Sequence, residues 1–144
     1  MTDQPALDLQ AAHRHFAVEC FNRAWDYMDK PQRTQEEDEE MLRLALVSLW
    51  HWTQRADCAA VHRSVGCWQV ARVYALLGQA GNARRYAHLC LQASQGDSIP
   101  PFYLAYAYEA LARAEMVAGE QEAMAGYLQQ ARLVAERMRV PEAK

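Results

Sequence analysis

Val70-Ala71-Arg72-Val73-Tyr74-Ala75-Leu76-Leu77-Gly78, followed by Ala83, Ala87 and Cys90, is a small–aromatic–glycine phrase running from one helix into the next. A related phrase returns 41 residues later as Ala112, Gly119, Ala123 and Tyr127. Small side chains at three- and four-residue spacing let two short helices approach closely. Glycine ends the first helix of each pair, because it adopts the left-handed conformation without penalty. Two such units in series predict stacked helical hairpins, the plan of a helical repeat protein.

The rest of the chain agrees with that plan. Of 144 residues, 51% are apolar and 23% charged, the composition of a globular domain with a real core. Helix formers dominate, and β-branched residues never run in alternation, so the expected class is all-α. Leu9, Ala12, Phe16, Cys20, Ala24 and Tyr27 form one stripe of a first helix, from about Pro5 to Asp29. Lys30-Pro31 stops it. Thr34-Gln35-Glu36-Glu37 is a capping box, and the acidic run Glu36 to Glu40 suits the positive end of a second helix. That run reads as a solvated helix start or as an acidic docking patch.

Asp57 is the expected cap of a third helix ending near Leu77, with Gly66 inside it marking a close backbone approach or a kink. A fourth helix is expected from about Asn82 to Ala93. Ser98 and Pro100-Pro101 introduce a fifth that Gly119 breaks, and a sixth runs to about Arg139 before Val140-Pro141. Short connectors make sequence neighbours antiparallel. The expectation is a single domain over residues 1–144, with hairpins at about 7–56, 58–95 and 99–139.

Several function classes are disfavoured. The net charge of −3 speaks against broad nucleic-acid binding. No run of about 18 apolar residues is present to span a membrane. Residues 1–10 lack the cationic start and apolar run of a signal peptide. Cys20, Cys58, Cys67 and Cys90 form no Cys-x-x-Cys pair and are expected to be reduced thiols in the cytoplasm. Cys58 and His62 have metal-ligand spacing on one helix face, but no second pair completes a set, so no metal and no cofactor are expected. Cys90 and His88 lie two apart and face away from each other, which excludes them as a nucleophile and base. No phosphate loop or nucleophile elbow is present.

The second hairpin resembles a tetratricopeptide repeat, through Ala71, Tyr74, Gly78, Ala83, Ala87 and Cys90. The third hairpin fits through Ala112 and Gly119 but has Glu115 at the aromatic position. The first fits through Ala45, Leu49 and Trp52. The chain is also similar to small helical bacterial proteins without an assigned activity, through His51-Trp52, Val73 to Gly78 and Ala105 to Ala114. The repeat resemblance implies a right-handed array whose first helix in each pair lines a groove. On this chain the groove positions include Trp68, Arg72, Tyr106, Glu109 and Arg113. Two arginines at matched heights can grip a carboxylate while the aromatics pack the adjoining chain. Pairing of Glu109 with either arginine inside a core is the competing structural role. The functions left open are protein or peptide binding with an anionic group on the partner, a small-molecule sensor or enzyme with a pocket between hairpins, and a homodimeric assembly subunit. Phe16, Phe21, Trp25 and Tyr27, spread over more than one face of the first helix, favour the last.

Overall fold

The computed structural model describes residues 7–138. It contains six α-helices: α1 (Leu9–Met28), α2 (Gln35–Thr53), α3 (Ala60–Leu76), α4 (Ala80–Ser94), α5 (Phe102–Ala118) and α6 (Gln121–Met138). Consecutive helices pack against each other, giving a stack of three hairpins. α3 touches α1, α2, α4 and α5, whereas α2, α4 and α6 do not touch one another. The odd-numbered helices therefore run side by side as one layer. The expected start at Pro5 and the stop at Val140-Pro141 lie outside the described residues.

Local chemistry sets most helix ends. Asp8 caps α1 by accepting the Ala11 N–H at 3.0 Å. Thr34 and Glu37 form the expected capping box: the Thr34 hydroxyl accepts the Glu37 N–H, and the Glu37 carboxylate accepts the Thr34 N–H. Three carboxylates of the acidic run have partners, Glu37 with Lys30, Asp38 with Arg33, and Glu40 with Arg43 and with Arg23 of α1. Gly78 and Gly119 follow α3 and α5 at φ +74° and +79°, the conformation that stops both helices.

The start of α3 differs from the expectation. Asp57 does not cap it, because both carboxylate oxygens are held by Arg55 at 2.8 and 2.7 Å. The helix begins three residues later, where the Ala59 N–H donates to His62 Nδ1 at 2.9 Å. Ser98 likewise does not cap α5, whose first turn follows Pro101.

One core runs through all three hairpins. Cys20, Ala24, Met41, Leu44, Val70 and Val73 join α1 and α2 to α3. Ala71, Ala87, Ala110 and Leu111 carry it on to α4 and α5. The close α3–α4 approach rests on Ala71, Ala83 and Ala87, none of them more than 2% exposed. Gly66 serves α2: a Cβ there would lie 2.7 Å from Leu49 Cδ1. In α6, Ala123 is exposed rather than packed, and Tyr127 and Val134 face inwards instead. A terminal helix has only one side to cover.

Buried polar groups tie the layers. Ser48 donates to the Ala17 carbonyl at 2.6 Å, and Gln69 Nε2 donates to the Phe21 carbonyl at 2.9 Å. Ser64 and Ser94 hydroxyls meet at 2.8 Å between α3 and α4. Glu115, at the position where the repeat pattern has an aromatic, is 6% exposed and takes a two-pronged grip from Arg84 at 2.7 Å per bond. That grip lowers the Glu115 pKa, the Arg84 hydrogen bonds being the main cause.

The α3–α4 contact makes a direct prediction. Ala83 has no exposed surface, so Ala83→Leu overfills the interface and is expected to lower stability by about 1–3 kcal/mol. Urea denaturation of the variant checks it, and an unchanged midpoint counts against this packing.

Candidate functional site

The layer of α1, α3 and α5 presents one continuous face. Along α3, Val61, Val65, Trp68, Arg72 and Leu76 recur at three- and four-residue intervals and so share a stripe. Tyr106, Glu109, Arg113 and Met116 do the same on α5. Because the three helices run parallel, side chains at equal heights are neighbours.

Arg72 is the focus of this face. Its guanidinium carbon lies 5.8 Å from the centre of the Trp25 ring and 5.9 Å from that of Trp68. Trp25 and Trp68 are themselves 5.7 Å apart. Two indole faces therefore hold the cation through their quadrupoles. The Arg72 Nε is buried and has no hydrogen-bond partner among the described residues. Burial pushes the Arg72 pKa down, and Arg113 adds to this, while Glu109 and Asp29 oppose it. Arg72 is thus a partly buried cation with no carboxylate contact among the described residues.

Glu109 gives its carboxylate to Arg113 at 2.7 Å, one turn along the same helix. Both side chains are partly exposed, at 41% and 32%. The pair is thus a surface pair beside Arg72 and not a closed core triad. Trp68 and Tyr106 meet edge to face at 6.1 Å. With Ser64, Val65 and Tyr103 they line an apolar hollow of about 200 Å³ between α3 and α5. Tyr106, Glu109 and Arg113 also border an open groove of about 650 Å³ between α5 and α6, where Arg132 joins them.

Trp68, Arg72 and Tyr106 therefore share the α3–α5 side, while Glu109 and Arg113 straddle it and the α5–α6 groove. Trp25 and Arg132 escaped sequence reasoning. Trp25 lies off the apolar stripe of α1, among aromatics spread over more than one face, and only the stack brings it to Arg72. No family model, curated protein or solved structure matches the chain. Interpretation of this face rests on its geometry.

A second polar cluster lies at the open end of the α1–α2 hairpin. His13 Nδ1 and His51 Nδ1 are 2.8 Å apart, so one ring donates and the other accepts. Phe16 and Trp50 border His51 at 5.6 and 5.0 Å between ring centres. His62, once paired in sequence with Cys58, instead stacks on Trp52 at 4.3 Å with its Nδ1 occupied by the Ala59 N–H. Among the described residues, no helix is long and apolar enough to cross a membrane. The four cysteines are free, and burial pushes the Cys67 thiol up to about 12.

The histidine pair gives a pH prediction. Burial lowers the His51 pKa, and His13 lowers it further. The unfolded chain then binds the proton more readily, so stability is full above the ordinary histidine range and falls as the pH drops through it. His51→Gln is expected to flatten that slope in denaturation curves measured from pH 7.5 to 5. An unaltered slope means that other groups carry it.

Proposed function

We propose that the chain is a protein- or peptide-binding module, a single tetratricopeptide-like helical-repeat domain that takes an anionic partner on the α1–α3–α5 face. The observation that carries this reading is Arg72, a partly buried guanidinium without an ion-pair partner among the described residues, set between two indoles and beside a second arginine. Arg72 forms no ion pair among the described residues, so the outer nitrogens of its guanidinium can take a carboxylate from a partner. Trp68 and Tyr106 provide apolar surface beside it, the combination of aromatic and arginine that dominates binding energy at interfaces. The hollow between α3 and α5, at about 200 Å³, has room for a single large side chain of a partner, and the wider α5–α6 groove of about 650 Å³ beside it is open rather than enclosed. The free cysteines suit a reducing, cytoplasmic setting.

Selection of random peptides displayed on phage against the full chain tests this proposal. Recovered peptides should carry an acidic residue beside large apolar ones. Arg72→Lys keeps the charge but loses the planar fork, and is expected to weaken them by about tenfold, that is about 1.4 kcal/mol. Trp68→Ala should weaken them comparably. If both variants bind the recovered peptides as the native protein does, the proposal fails.

A homodimer is favoured by a separate observation. Phe16, Val47 and Trp50 are 47%, 41% and 53% exposed at the outer end of the first hairpin. Terminal units of a helical stack need a polar cap or a partner. Light scattering at tens of micromolar is expected to give twice the 16.4 kDa chain mass. A mass of one chain at that concentration rules the dimer out.

A further inference from the structure

The α1–α3–α5 face is divided by height. Towards the N-terminal ends of the helices it is apolar, and towards their C-terminal ends lie Arg72 and Arg113. In the apolar half, Val65 stands between two hollows. One is lined by Ser64, Trp68, Tyr103 and Tyr106 on the α5 side. The other, of about 210 Å³, is lined by Val18, Phe21, Trp52, Val61 and His62 on the α1 and α2 side. Each has room for one large side chain. Val65 borders both, so their separation is about one interhelical spacing, roughly 8–10 Å.

These hollows offer a partner almost no hydrogen bonds. The Ser64 hydroxyl is committed to Ser94 at 2.8 Å, and His62 Nδ1 to the Ala59 N–H at 2.9 Å. An extended chain laid across them would bury its own N–H and C=O groups without partners, at a cost of about 1–3 kcal/mol for each group. An α-helix satisfies those groups internally. Seven residues of helix rise about 10.5 Å, close to one interhelical spacing. The charge is complementary as well, since Arg72 lies one turn along α3 from Trp68, is only partly buried and has no ion-pair partner among the described residues.

We propose that the occupant is an amphipathic α-helix of another protein. It sets large apolar side chains at i and i+7 into the two hollows and turns a carboxylate side chain on its flank towards Arg72. This deepens the peptide-binding proposal and rests on it.

Three synthetic peptides titrated into the full chain by fluorescence anisotropy test the assignment. The first is a capped helix of about 18 residues, long enough to form in water, with leucines at i and i+7 and glutamates on one flank. The second has the same composition with two central prolines that break the helix. The third is unstructured and ends in apolar residues with a free terminal carboxylate. The expected result is binding of the first peptide alone, weakened about tenfold by Val65→Asp and by Arg72→Lys. Tyr106→Ala, at the exposed rim of the α5-side hollow, should weaken it too and serves if Val65→Asp does not fold. Equal binding of the proline peptide overturns the helical occupant. Binding of the third peptide alone also overturns it, yet leaves the peptide-binding function standing. Binding of none overturns it as well, while the unbiased phage selection independently decides whether the face binds peptides at all.

Discussion

α3 is reached by four other helices, and the rest of the structure depends on how closely they can approach it. Small residues make this possible. Gly66 admits Leu49 from α2, Ala71 meets the Ala83–Ala87 surface of α4, and Cys67 packs beside Cys90 and Ala107. Larger residues at these points would push the neighbours outwards and separate the odd-numbered helices. That layer would then lose the lateral contact that places Trp25 against Trp68 and Trp68 against Tyr106. A helix surrounded on several sides cannot show a simple apolar stripe, and α3 accordingly buries Ser64 and Gln69 along with its valines.

Those buried polar groups show how the chain treats desolvation. Ser64 and Ser48 each find a partner across a helix–helix contact. Gln69 spends its amide donor on the Phe21 carbonyl. Glu115 is more demanding, as a nearly buried carboxylate, and Arg84 meets it with a matched two-bond fork. Gln69 Oε1 and Arg72 Nε depart from this pattern, and Arg72 also lacks an ion-pair partner among the described residues. Its nearest carboxylate neighbour on α5 is already engaged by Arg113, and aromatic faces take the place of a counter-ion. Among the described residues, Gln69 Oε1 and Arg72 Nε are the buried side-chain polar atoms left without a hydrogen-bond partner.

The sequence made the helices legible because their limits are local matters. Thr34 and Glu37 are three residues apart, and Gly78 and Gly119 follow directly from the conformation each stop requires. The cap at Asp57 failed for an equally local reason that composition does not rank: Arg55, two residues away, competes for the same carboxylate. Contacts between distant segments were less accessible. Arg84 and Glu115 are 31 residues apart, and His13 and His51 are 38 apart. Spacing along a helix says which residues share a face, but the angle and height at which two helices meet decide which faces touch. That Trp68 and Tyr106 are neighbours was inferable from the repeat resemblance, because parallel helices preserve height. Trp25 was not, since α1 joins the layer through a different connector length.

The division of the α1–α3–α5 face into apolar and cationic halves also has an electrostatic logic. α1, α3 and α5 run parallel, so their C-terminal ends lie on the same side of the layer. The exposed carbonyls there carry partial negative charge, and a cation near a helix C-terminus is favoured by about 0.3–1 kcal/mol at an exposed site. Arg72 precedes the end of α3 by one turn, and Arg113 stands at the corresponding level of α5. Dipoles and indole rings together hold positive charge in place without consuming the planar hydrogen-bonding edge of Arg72. A carboxylate of the chain itself would neutralise that edge and close it. Charge held by π-faces and peptide dipoles leaves the guanidinium without an ion pair among the described residues, next to the hollow lined by Trp68 and Tyr106.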